Sequence, residues 1–161
     1  MNMVDAVLVI CGDGNFMHQA KQIVKDNSLS AKVIFTGWLD PDTLREFTKN
    51  AHAGVNILEK EGLNHQYSLS NRFFDYIQAA VPQVCVDYRA YSELNNEYHC
   101  ALMVNDTQPL TIAEGINRLL NDDRLYESLK NNCMKAREVL NWGHEEKKLI
   151  DFYQNIFRAD G

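Results

Sequence analysis

Tyr67-Ser68-Leu69-Ser70-Asn71-Arg72-Phe73-Phe74-Asp75-Tyr76-Ile77-Gln78-Ala79-Ala80-Val81-Pro82, followed by Val84-Cys85-Val86, runs from polar loop to amphipathic helix, proline stop and apolar strand. Phe73, Phe74, Ile77, Ala80 and Val81 form one apolar stripe, and Asn71, Asp75 and Gln78 fall on another face at helical spacing. A helix that feeds a short continuous apolar run belongs to a β-α-β unit, because strands covered on both faces lose the polar alternation. Its N-terminus then opens at the mouth of a parallel sheet. The unpaired N–H groups of such a terminus bind anions, phosphates above all.

Outward from that stretch the same alternation continues. Ala6-Val7-Leu8-Val9-Ile10-Cys11 is an apolar run ending in Gly12-Asp13-Gly14, as expected of a strand buried on both faces. A helix follows over about residues 15–27, then the strand Val33-Ile34-Phe35 closed by Gly37. Asp40-Pro41-Asp42 starts another helix, with Pro41 suited to the first helical position, and Gly54-Val55-Asn56-Ile57-Leu58 is the third strand. Residues 59–70 read as a polar loop. Beyond the opening stretch come the strand Ala101-Leu102-Met103-Val104 and three helical patterns from Pro109 to Phe157. The expected architecture is one α/β domain over residues 1–161. It is a Rossmann-like, doubly wound parallel sheet of about five strands with helices on both faces and a helical C-terminus. Ligands of such sheets bind at the carboxyl ends of the strands.

The bulk properties narrow the function. The 161 residues suit one core, and 45% apolar residues with 10% aromatics is an ordinary globular composition. A formal charge of −6 opposes nucleic-acid binding, which calls for a basic face. No apolar run has the length of a membrane span, and Met1-Asn2-Met3-Val4-Asp5 is unlike a signal peptide, so the cytoplasm is the expected location. Cys11, Cys85, Cys100 and Cys133 show no paired spacing and read as reduced packing residues. The five histidines lack metal-ligand spacing, and neither a metal nor a cofactor is expected.

Two places carry possible chemistry. Gly12-Asp13-Gly14 is half of a dinucleotide fingerprint, with Phe16-Met17 where small residues belong; it is either a tight turn or a turn that also lines a cleft. At the second, Ser70 or Asn71 is placed to cap the helix, leaving first-turn amides for a diphosphate. Arg72 suits a phosphate oxygen, and Asp75, acceptor-only when ionised, suits a pair of sugar hydroxyls. The plainer alternative has Asp75 complementing the helix dipole and Arg72 in solvent.

Ser68-Leu69-Ser70-Asn71-Arg72-Phe73-Phe74-Asp75-Tyr76 resembles the Ser-Leu-Pro-Asn-Lys-x-Phe-Glu-Tyr stretch of retaining, GT-B type glycosyltransferases of family four, or group 1. Val7 to Gly14 is similar to that family's strand and Gly-x-Gly turn, and Val33-Ile34-Phe35-Thr36-Gly37-Trp38-Leu39 to its Val-x-Phe-x-Gly strand. Pro82 and Trp142 fall where the family ends this helix and begins its last one, so the resemblance runs from about Val7 to Tyr153. It implies the C-terminal, donor-binding domain of a hexosyltransferase-like enzyme of polysaccharide biosynthesis, which moves a sugar from a nucleotide-activated donor with retention. By the same resemblance, Asp75 holds the ribose, while Ser70, Asn71 and Arg72 receive the diphosphate. Gly12 lines the donor cleft, and Trp38 and Leu39 lie against the base. No catalytic residue is assigned.

The departures from the family are specific. Asp75 replaces a longer Glu, Ser70 a Pro, and Ala80 the helix-end Gly, while Tyr67 stands where the first Glu of Glu-x7-Glu belongs. Glu59 or Glu61 is a substitute from the loop, or else a solvated carboxylate. Only six residues precede Val7, so the usual first strand and helix, with their basic pair, and the N-terminal acceptor-binding domain are expected to be missing. The fragment alone is then expected to be inactive, with any peripheral membrane contact made through the missing domain. The strands beginning at Val7 and Gly54 either pair directly or leave a slot for another chain. A non-catalytic α/β nucleotide-binding or interaction module is the alternative. A phospho-acceptor version of it would need clustered acids, and Asp13 and Asp87 stand singly.

Overall fold

The computed structural model describes residues 5–60 and 62–159. Residues 1–4, part of the segment that carries the reading of no signal peptide, and Glu61, one of the two loop carboxylates, lie outside the described residues. The elements alternate as the sequence predicts: β1 (Leu8–Cys11), α1 (Met17–Asp26), β2 (Val33–Gly37), α2 (Pro41–Asn50) and β3 (Gly54–Asn56). After them come α3 (Gly62–Tyr67), α4 (Asn71–Gln78), β4 (Gln83–Val86), α5 (Arg89–Tyr98) and β5 (Ala101–Val104). Three helices, α6 (Pro109–Asn121), α7 (Asp123–Ala136) and α8 (Trp142–Ala159), finish the chain. Two helices are additions to the expected pattern: α3 within the polar loop, and α5 between the last two strands.

All strand pairs are parallel, but the five strands form two sheets. β1 pairs with β2, and β3, β4 and β5 form a second sheet in that order. Succession runs outward in opposite directions from the point between β1 and β3, where an open α/β sheet has its switch point. Among the described residues β1 and β3 do not pair with each other, so of the two alternatives direct pairing is excluded and the sheet is open between them.

The core sits on the second sheet. β4 is buried throughout, and its alternate residues serve opposite faces. Val84 packs with Val104, Leu119 and Leu129 on the α6 side. Cys85 packs with Phe73, Ile77, Tyr91, Cys100 and Cys133 on the other, under α4, α5 and α7. Gly115 lets α6 approach closely, since a Cβ there would lie 2.8 Å from Val104. The first sheet is thin by contrast. Val7, Leu8 and Val9 are 54%, 46% and 39% exposed, and neither α1 nor α2 buries a residue. The expectation that this strand is covered on both faces is therefore corrected: an apolar run reports an appetite for cover, and here one edge and much of both faces are bare.

Local signals account for the element ends. Asp40 caps α2 by accepting from the Asp42 and Thr43 amides at 3.1 and 3.0 Å, and Pro41 fills the first turn. α4 ends in a Schellman arrangement: the Val81 N–H donates to the Tyr76 carbonyl at 2.9 Å and the Ala80 N–H to that of Ile77 at 3.0 Å. Ala80 takes the left-handed position of that motif at φ 55°, a place that favours glycine. All four cysteines are free thiols, and Cys85, Cys100 and Cys133 are buried. Burial pushes the Cys85 thiol up to about 12, which keeps it protonated and unreactive. Among the described residues no helix is long and apolar enough to cross a membrane.

Candidate functional site

The N-terminus of α4 opens just beyond the carboxyl end of β3, and a buried polar chain fixes it there. Asn56, the last residue of β3, is fully buried. Its carboxamide oxygen accepts the Ser70 hydroxyl at 2.9 Å, and its amide donates to the Cys85 sulfur at 3.4 Å. From the other side the Ser70 N–H donates to the Tyr91 hydroxyl of α5 at 3.0 Å. Ser70 is thus held by β3 and α5, with β4 behind Asn56. It does not cap α4, and no side chain does. The expected capping by Ser70 or Asn71 is corrected, because buried Asn56 competes for the hydroxyl and leaves the first-turn amides without a side-chain acceptor.

Asn71 and Arg72 stand exposed on the first turn, and Asp75 follows one turn on. Partial burial raises the Asp75 carboxyl above its usual range, opposed by Arg45 of α2 and, less strongly, by Arg72. Two guanidinium groups therefore flank the mouth, and Arg45 was not anticipated from the sequence. Arg45 also pairs with Asp42 at 2.7 Å, on an exposed surface. Gln78, on the same face as Asp75, is structural: its amide donates to the Leu140 carbonyl at 2.6 Å and ties α4 to the segment between α7 and α8.

The other expected site residues lie on the first sheet. Gly12, at φ 127°, follows β1, and its N–H donates to the Gly37 carbonyl at 2.8 Å. That bond draws the ends of β1 and β2 together beside Trp38, which is 75% exposed, and half-buried Leu39. The expected residues thus fall into two groups at strand carboxyl ends, Gly12, Trp38 and Leu39 on one sheet and Ser70, Asn71, Arg72 and Asp75 on the other. Glu59, beyond β3, is exposed and accepts the Thr107 hydroxyl at 3.4 Å; its charge adds to burial in raising the Tyr88 phenol. Among the described residues no cluster of His, Cys, Asp and Glu could hold a metal ion.

Asn56 and Tyr91 complete the mouth and were not read as site residues. Asn56 carried a signal, a lone amide ending the apolar strand Gly54-Val55-Asn56. Tyr91 carries only a weak one, the helical spacing it shares with Leu94 and Tyr98 among polar residues.

Comparison with known proteins agrees with this geometry. The chain is 25% identical over 153 residues to an uncharacterized glycosyltransferase of Methanocaldococcus jannaschii, covering 93% of this chain and 37% of the relative. Its fold matches sucrose-phosphate synthase of Thermosynechococcus elongatus with a TM-score of 0.76 at 19% identity, over 95% of this chain and 38% of that one. It also matches Anabaena HepE, in a structure with UDP, with a TM-score of 0.75 at 12% identity, over 93% of this chain and 41% of that one. The chain thus spans well under half the length of these proteins. The family model described as "Glycosyl transferases group 1" matches residues 2–136. With the α/β sheets and the helix mouth already in place, that match settles the family: the chain belongs to the group 1 glycosyl transferases.

Proposed function

We propose that this chain is the donor-binding domain of a glycosyltransferase that moves a hexosyl unit from a nucleoside diphosphate to an acceptor with retention of configuration. The uncapped N-terminus of α4, with Arg72 on its first turn and Asp75 one turn on, carries the reading. Its amides and dipole receive the diphosphate, Arg72 and Asn71 bind its outer oxygens, and Asp75 accepts from the ribose hydroxyls. Gly12 allows close approach of the backbone, and Trp38 and Leu39 lie against the base. UDP, the nucleotide bound by Anabaena HepE, is the first ligand to try.

Transfer would rest on electrostatics. The sugar–phosphate bond breaks as negative charge gathers on the departing diphosphate, and a helix dipole with a guanidinium stabilises that charge. The acceptor hydroxyl must be held against the anomeric carbon by a second, N-terminal domain. The chain alone therefore binds donor and transfers nothing. The complete protein works in the cytoplasm on polysaccharide assembly, and any membrane contact it makes goes through that second domain.

Isothermal titration with UDP, ADP and GDP tests the binding half. One of them should bind, and Arg72→Ala and Asp75→Ala should each weaken it about tenfold, the value of one charge-assisted contact of about 1.5 kcal/mol. No binding at millimolar nucleotide, or an Asp75→Ala variant that binds as well as the parent, would overturn it. A non-catalytic nucleotide-binding or interaction module is the second reading, favoured by the apolar residues exposed on α8, Phe152, Tyr153 and Phe157 among them. It predicts nucleotide binding that never leads to donor hydrolysis or transfer, with any second domain.

A further inference from the structure

Three of the four cysteines meet in the core beneath α4, α5 and α7. Cys85 lies within β4, Cys100 immediately precedes β5, and Cys133 is in the last turn of α7; none of the three is exposed. Cys85 is engaged elsewhere: it accepts from the Asn56 amide at 3.4 Å, and its own S–H donates to the Val86 carbonyl at 3.5 Å. Cys100 and Cys133 belong together. The Cys133 sulfur donates to the Cys100 carbonyl at 3.3 Å, and the two thiols hydrogen-bond each other.

The backbone around the pair is fixed from both sides. Asn132 donates from its amide to the His99 carbonyl at 3.0 Å, so successive residues of α7 grip successive residues of the turn between α5 and β5. Beyond the turn, Asn95 clamps Ala101, accepting its N–H at 2.9 Å and donating to its carbonyl at 3.2 Å. The two sulfurs have different characters. The hydrogen bond from Cys133 draws the Cys100 thiol below its usual range against the opposing effect of burial, and the same bond together with burial lifts the Cys133 thiol. Cys100 is therefore the sulfur nearer its thiolate, the nucleophilic form.

We propose that Cys100 and Cys133 are an oxidisable pair, which hydrogen peroxide closes into a disulfide that fastens α7 to the start of β5. The Cys100 sulfur attacks one peroxide oxygen; the O–O bond breaks, and the departing hydroxide takes the thiol proton and leaves as water. The Cys133 sulfur then attacks the sulfenic sulfur on Cys100; the S–S bond forms, the S–O bond breaks, and hydroxide leaves with the Cys133 proton as a second water. Two thiols thus pass two electrons to one peroxide. Full burial keeps larger oxidants out and makes entry, through local opening of the core, the slow step. The closed loop holds β5, α6 and most of α7, so the bond restricts the unfolded chain and holds the second sheet shut. The pair lies at the C-terminal end of α4, where the Cys133 sulfur also reaches the Val81 carbonyl at 4.0 Å, and the proposal is independent of what the mouth of that helix binds.

The test uses the chain with Cys11→Ser, which removes the partly exposed thiol, treated with hydrogen peroxide under native conditions and then alkylated in denaturant. Peptide mapping should find Cys100 linked to Cys133, the linked peptides lighter by two hydrogen atoms, and Cys85 alkylated. The melting temperature should rise by about 5–10 °C and fall back with dithiothreitol. In Cys133→Ala, dimedone should trap a sulfenic acid on Cys100, whereas in Cys100→Ala the Cys133 thiol should stay reduced; a pair that serves packing alone would not show that asymmetry. The proposal is overturned if both thiols remain alkylatable after treatment, if the linkage forms only in urea, or if Cys85 is one of the partners. The map of the Cys11→Ser chain decides this even where a core variant fails to fold.

Discussion

Replacing Ser70 by alanine probes the tether that holds the mouth of α4. The hydroxyl donates to the Asn56 carboxamide oxygen at 2.9 Å, and Asn56 is fully buried. Ser70→Ala therefore leaves a buried acceptor with no partner, at a cost of about 1–3 kcal/mol. Asn56→Ala removes that acceptor together with its contact to the Cys85 sulfur and opens a small cavity, costing about 2–4 kcal/mol. In the double variant the orphan no longer exists, so Ser70→Ala should add almost nothing to Asn56→Ala. The expected coupling is about 1–2 kcal/mol. Urea unfolding of the four proteins measures it, each kcal/mol moving the midpoint by about 0.5 M for a slope near 2 kcal/mol/M. Additivity to within about 0.3 kcal/mol would refute the tether, since the two side chains would then act independently. The single variant should also weaken nucleotide binding, because the loop that presents the free amides loses its anchor.

Three further outcomes can be checked on the same scale. Ala80→Gly should stabilise the chain by up to about 1 kcal/mol, as the left-handed strain at φ 55° outweighs the lost methyl contact and the added freedom of the unfolded chain; a lower melting temperature would contradict it. Ser70→Pro, which restores the residue usual in the family, should cost about 1–2 kcal/mol: φ −77° accepts proline, but the bonds to Tyr91 and Asn56 are lost. The Asp75 carboxyl is raised in the folded state chiefly by burial, so its protonated form is favoured there. Its contribution is thus most favourable below the unfolded value of 3.8 and is lost as pH rises through the raised folded value. Asp75→Asn should accordingly be the more stable protein at pH 7, with the difference shrinking in acid, while binding nucleotide less well. Equal stability of the two proteins at every pH would contradict that assignment.

What the sequence made legible followed from local rules. Asp40-Pro41 announced a capped helix, Phe73, Ile77 and Val81 a buried stripe, and Val84-Cys85-Val86 a strand covered on both faces; each depends on a few neighbouring residues. What it hid depended on distant ones. Ser70 has the chemistry of a cap, yet Asn56, far away in the chain, claims its hydroxyl. Tyr91, Leu94 and Tyr98 recur at helical spacing in α5, but polar residues around them dilute the signal, and the Tyr91 hydroxyl serves a hydrogen bond as well as packing. The run Ala6–Cys11 has the composition of a central strand, but whether its faces are covered is decided by what stands beside it. For the site, Ser70, Asn71, Arg72 and Asp75 stand together in the sequence as one motif. Arg45 is not part of it, because only the packing of α2 against α4 brings its charge to Asp75.

The uneven core has a consequence for how the chain opens. Burial is concentrated around β3, β4 and β5, so those strands with α4 to α7 should form one cooperative unit whose exchange requires global unfolding. β1, α1, β2 and α2 bury little and should open at lower free energy, as a separate unit. Gly12, Trp38 and Leu39 ride on the weaker unit, and Ser70, Arg72 and Asp75 on the stronger. A ligand that touches both can bind only when the weaker unit is closed, and by mass action it holds that unit closed. For such a ligand, affinity and the order of the β1–α2 half are two readings of one equilibrium.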